Sequence, residues 1–78
     1  MSDTLARVKK VTAELLGIEE SKIKPESRFV EDLGAESTQS IELVATFEEE
    51  FGVTMDENEA LGVKTVADAE RFIDKLRK

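Results

Sequence analysis

Three stretches of this chain repeat their apolar residues every third or fourth position. That is the period of one helix face, and it constrains the fold more than any other feature. Leu5, Val8, Val11 and Leu15 carry it from Thr4 to Leu16, with Asp3 or Thr4 as the candidate N-cap and Gly17 as the stop. A second helix is expected from Ser37 to Phe51, ended by Gly52. The last carries Val66, Ala69, Phe72, Ile73 and Leu76, opens on the capping-box spacing of Thr65 and Asp68, and closes with Lys75, Arg77 and Lys78, whose charge suits a helix C-terminus. Asp56 with Glu59 repeats the capping-box spacing before a short third helix ending near Leu61 and Gly62. Residues 18 to 36 lose the period and hold Pro25 and Gly34. They read as a long loop anchored by Ile18, Ile23, Phe29, Val30 and Leu33, with one turn near Ser21 to Ile23. No run alternates as a strand would, so the fold class is all-α, a small helical bundle. Its expected core is Leu5, Val8, Val11, Leu15, Leu43, Phe47, Phe51, Val66, Ile73 and Leu76.

At 78 residues the chain makes one domain, spanning 1-78, with no room for a separate catalytic one. The 18 Asp and Glu against 11 Lys and Arg leave a net charge of −7, which repels nucleic acid and anionic lipid and suits basic partners. The acids are concentrated: between Phe29 and Val63 there are ten and not one Lys or Arg. The negative field therefore belongs to the second helix and its flanks. Turned at 100° per residue, that helix puts Leu43, Val44, Phe47 and Phe51 on one arc, with Ser40 among them. On the adjoining arc Ile41 and Ala45 lie between Glu48 on one side and Thr38, Glu42 and Glu49 on the other. A small apolar patch rimmed by carboxylates that lack Lys partners four residues on is expected to dock electropositive surfaces of other proteins.

Most chemistry is excluded by residue type. With no Cys and no His there is no thiolate nucleophile, no imidazole base, no disulfide and no ordinary zinc or copper ligand set. The run from Asp56 to Leu61 fails as an EF-hand loop, because Ala60 and Leu61 stand where an oxygen ligand and Gly are required, so no metal site is expected. Glycines are too scattered to cradle a phosphate. No signal peptide or membrane-spanning run is evident, and a cytoplasmic location without membrane insertion is the expectation. Ser37 opens the second helix behind Glu31-Asp32-Leu33-Gly34-Ala35-Glu36, and from position alone it reads as an N-cap.

The run from Phe29 to Ser37, followed by Ile41-Glu42-Leu43-Val44-Ala45-Thr46-Phe47-Glu48-Glu49-Glu50-Phe51, resembles the acyl carrier protein family. The resemblance extends to Arg7-Val8-Lys9-Lys10 and Leu16-Gly17-Ile18, and to Lys64-Thr65-Val66 with Phe72-Ile73. It implies a four-helix bundle, three longer helices and one short, with a long loop between the first two. It also implies a serine at the start of the second helix, here Ser37, esterified by 4′-phosphopantetheine taken from coenzyme A. The arm's thiol would hold an acyl group as a thioester while partner enzymes of fatty acid, lipid or polyketide-type synthesis read the second helix. The protein would then be no enzyme but a monomeric carrier and a substrate of others, with a phosphopantetheinyl transferase and basic acyl-processing enzymes as partners and no nucleic acid. The implied partner-binding set is Glu36, Thr38, Ile41, Glu42, Ala45, Glu48, Glu49, Asp56 and Glu57. Where the family has Asp-Ser-Leu this chain has Glu36-Ser37-Thr38, which points to a specialised member. Two other readings are an unmodified acidic adaptor with the same fold and an aminoacyl or peptidyl carrier.

Overall fold

The computed structural model describes residues 3–77, the side chain of Glu57 excepted. It is all-helical: α1 spans Asp3–Leu16, α2 Ser37–Phe51, α3 Glu57–Ala60 and α4 Val66–Leu76, with one 3-10 turn at Glu20–Lys22. Each longer helix lies where apolar residues recur at intervals of three and four. Gly52, at φ 64, ends α2 in the left-handed conformation, and its amide bonds back to the Glu48 carbonyl. α4 starts as its sequence implies, for Thr65 is the N-cap, its hydroxyl accepting from the Asp68 amide while the Asp68 carboxylate accepts from the Thr65 amide. At α3 the Asp56 carboxylate accepts from the amides of Asn58 and Glu59, and the helix closes at Ala60, one residue short of the expected end.

α1 packs against both α2 and α4. Its N-terminal end meets the C-terminal ends of both: Thr4 donates to Asp74, Arg77 donates to Thr4, and Arg7 reaches Glu50. Between the helices lie Val8, Val11, Leu43, Phe47, Val66 and Ile73, all buried, with Leu5, Leu15 and Phe51 packed partly buried around them. The long loop adds Ile23, Phe29 and Ala35 to this core, and Met55 enters from the stretch before α3.

Two short stretches hold the loop in place. Val66 N–H donates to Ser27, Ala67 N–H to Pro25 and Phe29 N–H to Lys64, with Arg28 and Thr65 paired as an isolated antiparallel bridge. Ala35 N–H then returns to the Phe29 carbonyl and turns the chain into α2. Phe29 is thereby fixed with its ring 6.2 Å from that of Phe47, tilted 53°.

Four expectations are corrected. Asp3 and Thr4 do not cap α1 from outside, since both lie within its helical turns and the buried Thr4 bonds across to α4. Val30 does not anchor the loop and is 56% exposed, because the turn from 28 to 34 that buries Phe29 points its neighbour outward. Leu76 is not core; it is 37% exposed, because it sits in the last turn of α4, where the helix end leaves it half open to solvent. The N-cap expected at Ser37 is instead Glu36, as described next.

Candidate functional site

The N-cap of α2 lies one residue earlier than the sequence suggests. Glu36, extended at φ −83 and ψ 168, is the N-cap, and its amide donates to Gln39 Oε1 at 3.0 Å. Ser37 is therefore the first helical residue and not the cap. Because Glu36 and Gln39 satisfy the helix start, the Ser37 hydroxyl has no capping duty. It is exposed and has no hydrogen-bond partner among the described residues. The amides of the first turn point past it, giving this end of a 15-residue helix its positive pole.

The loop that delivers Ser37 is braced by Arg28 and Asp32. Asp32 Oδ2 accepts from the Arg28 amide at 2.8 Å and from Arg28 Nε at 3.2 Å, and Glu31 pairs with the same guanidinium. These bonds, the backbone one first, hold the Asp32 carboxyl below the usual carboxylate range, and Asp32 in turn raises the Arg28 guanidinium. The negative charge of Asp32 is thus spent on the loop itself, and Glu36 is the acid left exposed beside Ser37.

Along α2 the structure brings together most of the expected docking face. Ile41 is 71% exposed, Ala45 is exposed beside it, and Thr38, Glu42 and Glu49 are exposed around them. Glu48 is half-buried, and its Oε2 accepts from Met55 N–H at 2.8 Å, so it ties α2 to the segment entering α3. Asp56 is exposed but serves as the cap of α3. The side chain of Glu57 lies outside the described residues.

The sequence reading missed an open, mostly apolar cleft of about 760 Å³ beside α2. Its walls are Leu43, Val44 and Phe47 from α2, Phe29 from the loop, and Met55 and Val63 from either side of α3. Exposed Val30, Ile41 and Leu61 form its apolar lip, and Ser40 lines it one helical turn from Ser37. Val30 and Leu61 sit in turns without period, so no spacing rule could have assigned them to a common surface with Ile41. Among the described residues no group of acids, Cys or His is arranged to hold a metal ion, and no helix is long and apolar enough to cross a membrane.

An exposed hydroxyl at the start of α2, unpartnered among the described residues, thus lies on the same helix as an acidic face with an apolar patch and an adjoining cleft. A family model described as phosphopantetheine attachment site matches residues 6–73, a span that takes in all of α2, α3 and most of α1 and α4.

Proposed function

The chain belongs to the phosphopantetheine attachment-site family, and from that premise we propose that Ser37 is its attachment residue and that it carries acyl intermediates for fatty acid, lipid or polyketide-type synthesis in the cytoplasm. The family's covalent 4′-phosphopantetheine supplies a terminal thiol that holds a carboxylic acid as a thioester. This chain has no cysteine, so that thiol would be the sole one in the loaded protein.

The observation that carries the assignment is the freedom of the Ser37 hydroxyl. A serine committed to capping accepts an amide N–H through Oγ, and esterification would turn that oxygen into a weaker acceptor. Here Glu36 and Gln39 close the helix, and Ser37 Oγ stands exposed at N1. A phosphodiester formed there lies near the first-turn amides and the positive end of α2, which favour an anion. Asp32, turned onto Arg28, does not oppose it directly. The long loop's bonds to α4 hold this end of α2 still while a tether moves, and a tether raises the effective concentration of its cargo at a docked enzyme.

The face around Ile41 and Ala45 is the surface partner enzymes would read, with Glu36, Thr38, Glu42 and Glu49 exposed about it. Acids on a carrier and bases on its enzymes steer encounter and fix orientation. The same acidity favours an acyl over an aminoacyl cargo, and membership of an attachment-site family favours a modified carrier over a bare adaptor.

Intact-mass measurement after incubation with coenzyme A and a panel of phosphopantetheinyl transferases tests the assignment. One phosphopantetheine on the parent and none on Ser37→Ala is expected. Modification of Ser37→Ala, or of neither protein by any transferase, overturns it.

A further inference from the structure

We infer that the cleft beside α2 accepts an acyl group bearing a carboxylate of its own, with Lys64 as the residue that recognises it; the inference rests on the carrier reading above.

The argument starts from the charged and polar groups on the cleft wall, which are Arg28, Glu31, Ser40, Glu48 and Lys64. Four of the five are already engaged inside the protein. Arg28 pairs with Glu31 and Asp32. Ser40 Oγ donates to the Glu36 carbonyl at 3.3 Å, and Glu48 accepts from Met55 N–H. Lys64 is different. Its backbone is held, the carbonyl by Phe29 N–H and the amide by the Asp68 carboxylate, but its ammonium has no ion pair among the described residues.

A cation with that freedom is conspicuous here. From Phe29 to Val63 the sequence places only acids, and Lys64 is the first base after them. The backbone bond between Phe29 and Lys64 closes this acidic segment on itself and seats Lys64 against the cleft. A chain with a methyl end would find apolar walls and leave the ammonium to water. One with a carboxylate would keep the same apolar contacts and add a charge pair at the lip, where both groups stay partly hydrated and the desolvation cost is small.

The holo protein, confirmed by mass, would be loaded with a straight-chain monocarboxylic acid or with the dicarboxylic acid of equal length, attached through one end. Thioester cleavage by hydroxylamine and the amide shifts of Leu61, Val63 and Lys64 are then followed. In the parent the carboxylate-ended thioester should be cleaved roughly threefold more slowly, the size of one partly exposed ion pair. Lys64→Gln should remove the difference, and rising salt should shrink it. Equal cleavage of both thioesters in the parent, or an undiminished difference in Lys64→Gln, overturns the inference. If attaching the unloaded arm already shifts these amides as much as the carboxylate-ended cargo does, and Lys64→Gln abolishes that shift, Lys64 pairs with the arm's phosphate and the cargo assignment falls. A protein that never gains the arm fails earlier, at the mass measurement, and that failure belongs to the carrier reading.

Discussion

Arg7 closes the C-terminal end of a helix to which it does not belong: its Nη2 donates to the Glu50 carbonyl at 2.7 Å while Nε bonds the Glu50 carboxylate at 2.9 Å. α2 has no basic residue in its last turn, so the negative pole of its dipole would otherwise be uncompensated. The same guanidinium stands 4.5 Å from the centre of the Phe51 ring, with Arg77, the C-cap of α4, at 5.4 Å. The end of α2 opposite Ser37 is thus held by one arginine from each of the other long helices.

Arg7→Ala should lower the melting temperature, and Arg7→Lys should recover only part of the loss. An ammonium cannot supply both the carbonyl and carboxylate bonds in one fork. Thermal unfolding at two salt concentrations checks this. The Glu50 carboxylate pair, being exposed, should weaken with salt, while the contact with Phe51 should not.

Removing the reciprocal cap of α4 should have a pH signature. Burial pushes the Asp68 carboxyl up, but the bonds from the Thr65 and Lys64 amides and the Thr65 hydroxyl, with Arg71 nearby, bring it below its ordinary value of 3.8. A carboxyl depressed in the folded state stabilises it above the unfolded pKa, and that contribution is lost as pH falls through the folded pKa. Asp68→Ala should therefore be less stable than the parent at pH 7, and the gap should narrow below about pH 4. Thr65→Ala should cost about 1 kcal/mol at neutral pH. Parallel urea titrations across pH measure both.

Thr12 is fully buried in α1, and its hydroxyl has no partner among the described residues. A buried polar atom left unpaired costs about 1–3 kcal/mol, so Thr12→Val, which keeps the shape and removes the hydroxyl, should stabilise the protein by about 1 kcal/mol. Both side chains are branched at Cβ, which holds helix propensity nearly constant. The midpoint of urea unfolding, at unchanged slope, is the readout.

Charge reversal on the exposed acids tests the docking face. Glu42→Lys with Glu49→Lys should lower affinity for a basic acyl-processing enzyme by about tenfold at low salt, mostly through the association rate, and the difference should fade as salt rises. Glu48→Ala, which removes the acceptor, should instead disturb the approach to α3, because Glu48 is bonded to Met55. Calorimetric affinity and helix content, measured on all three proteins, separate the two roles.

The extent of α2, from Ser37 to Phe51, was legible because a helix's limits are set by neighbours three and four positions away, and by a residue such as Gly52 that tolerates a positive φ. The same local logic supplied α4 and its cap. It failed by a single position at Ser37, since Glu36 and Ser37 can each open a helix and only the bond from the Glu36 amide to Gln39 decides between them. It failed more widely in the turns, where Val30 faces water and Phe29 does not.

The amino-acid order by itself determined which segments are helical, which face of each is apolar, that the middle of the chain is acidic, and that no side chain here can act as thiol or imidazole. Only the tertiary structure decided that Arg7 serves Glu50, that Glu48 bonds Met55, that Thr12 goes unpaired among the described residues, and that Lys64 lines a cleft. The physical reason is range. Periodicity and capping act within a turn, whereas partners and solvent exposure depend on how whole helices meet, and no spacing along the chain encodes that meeting.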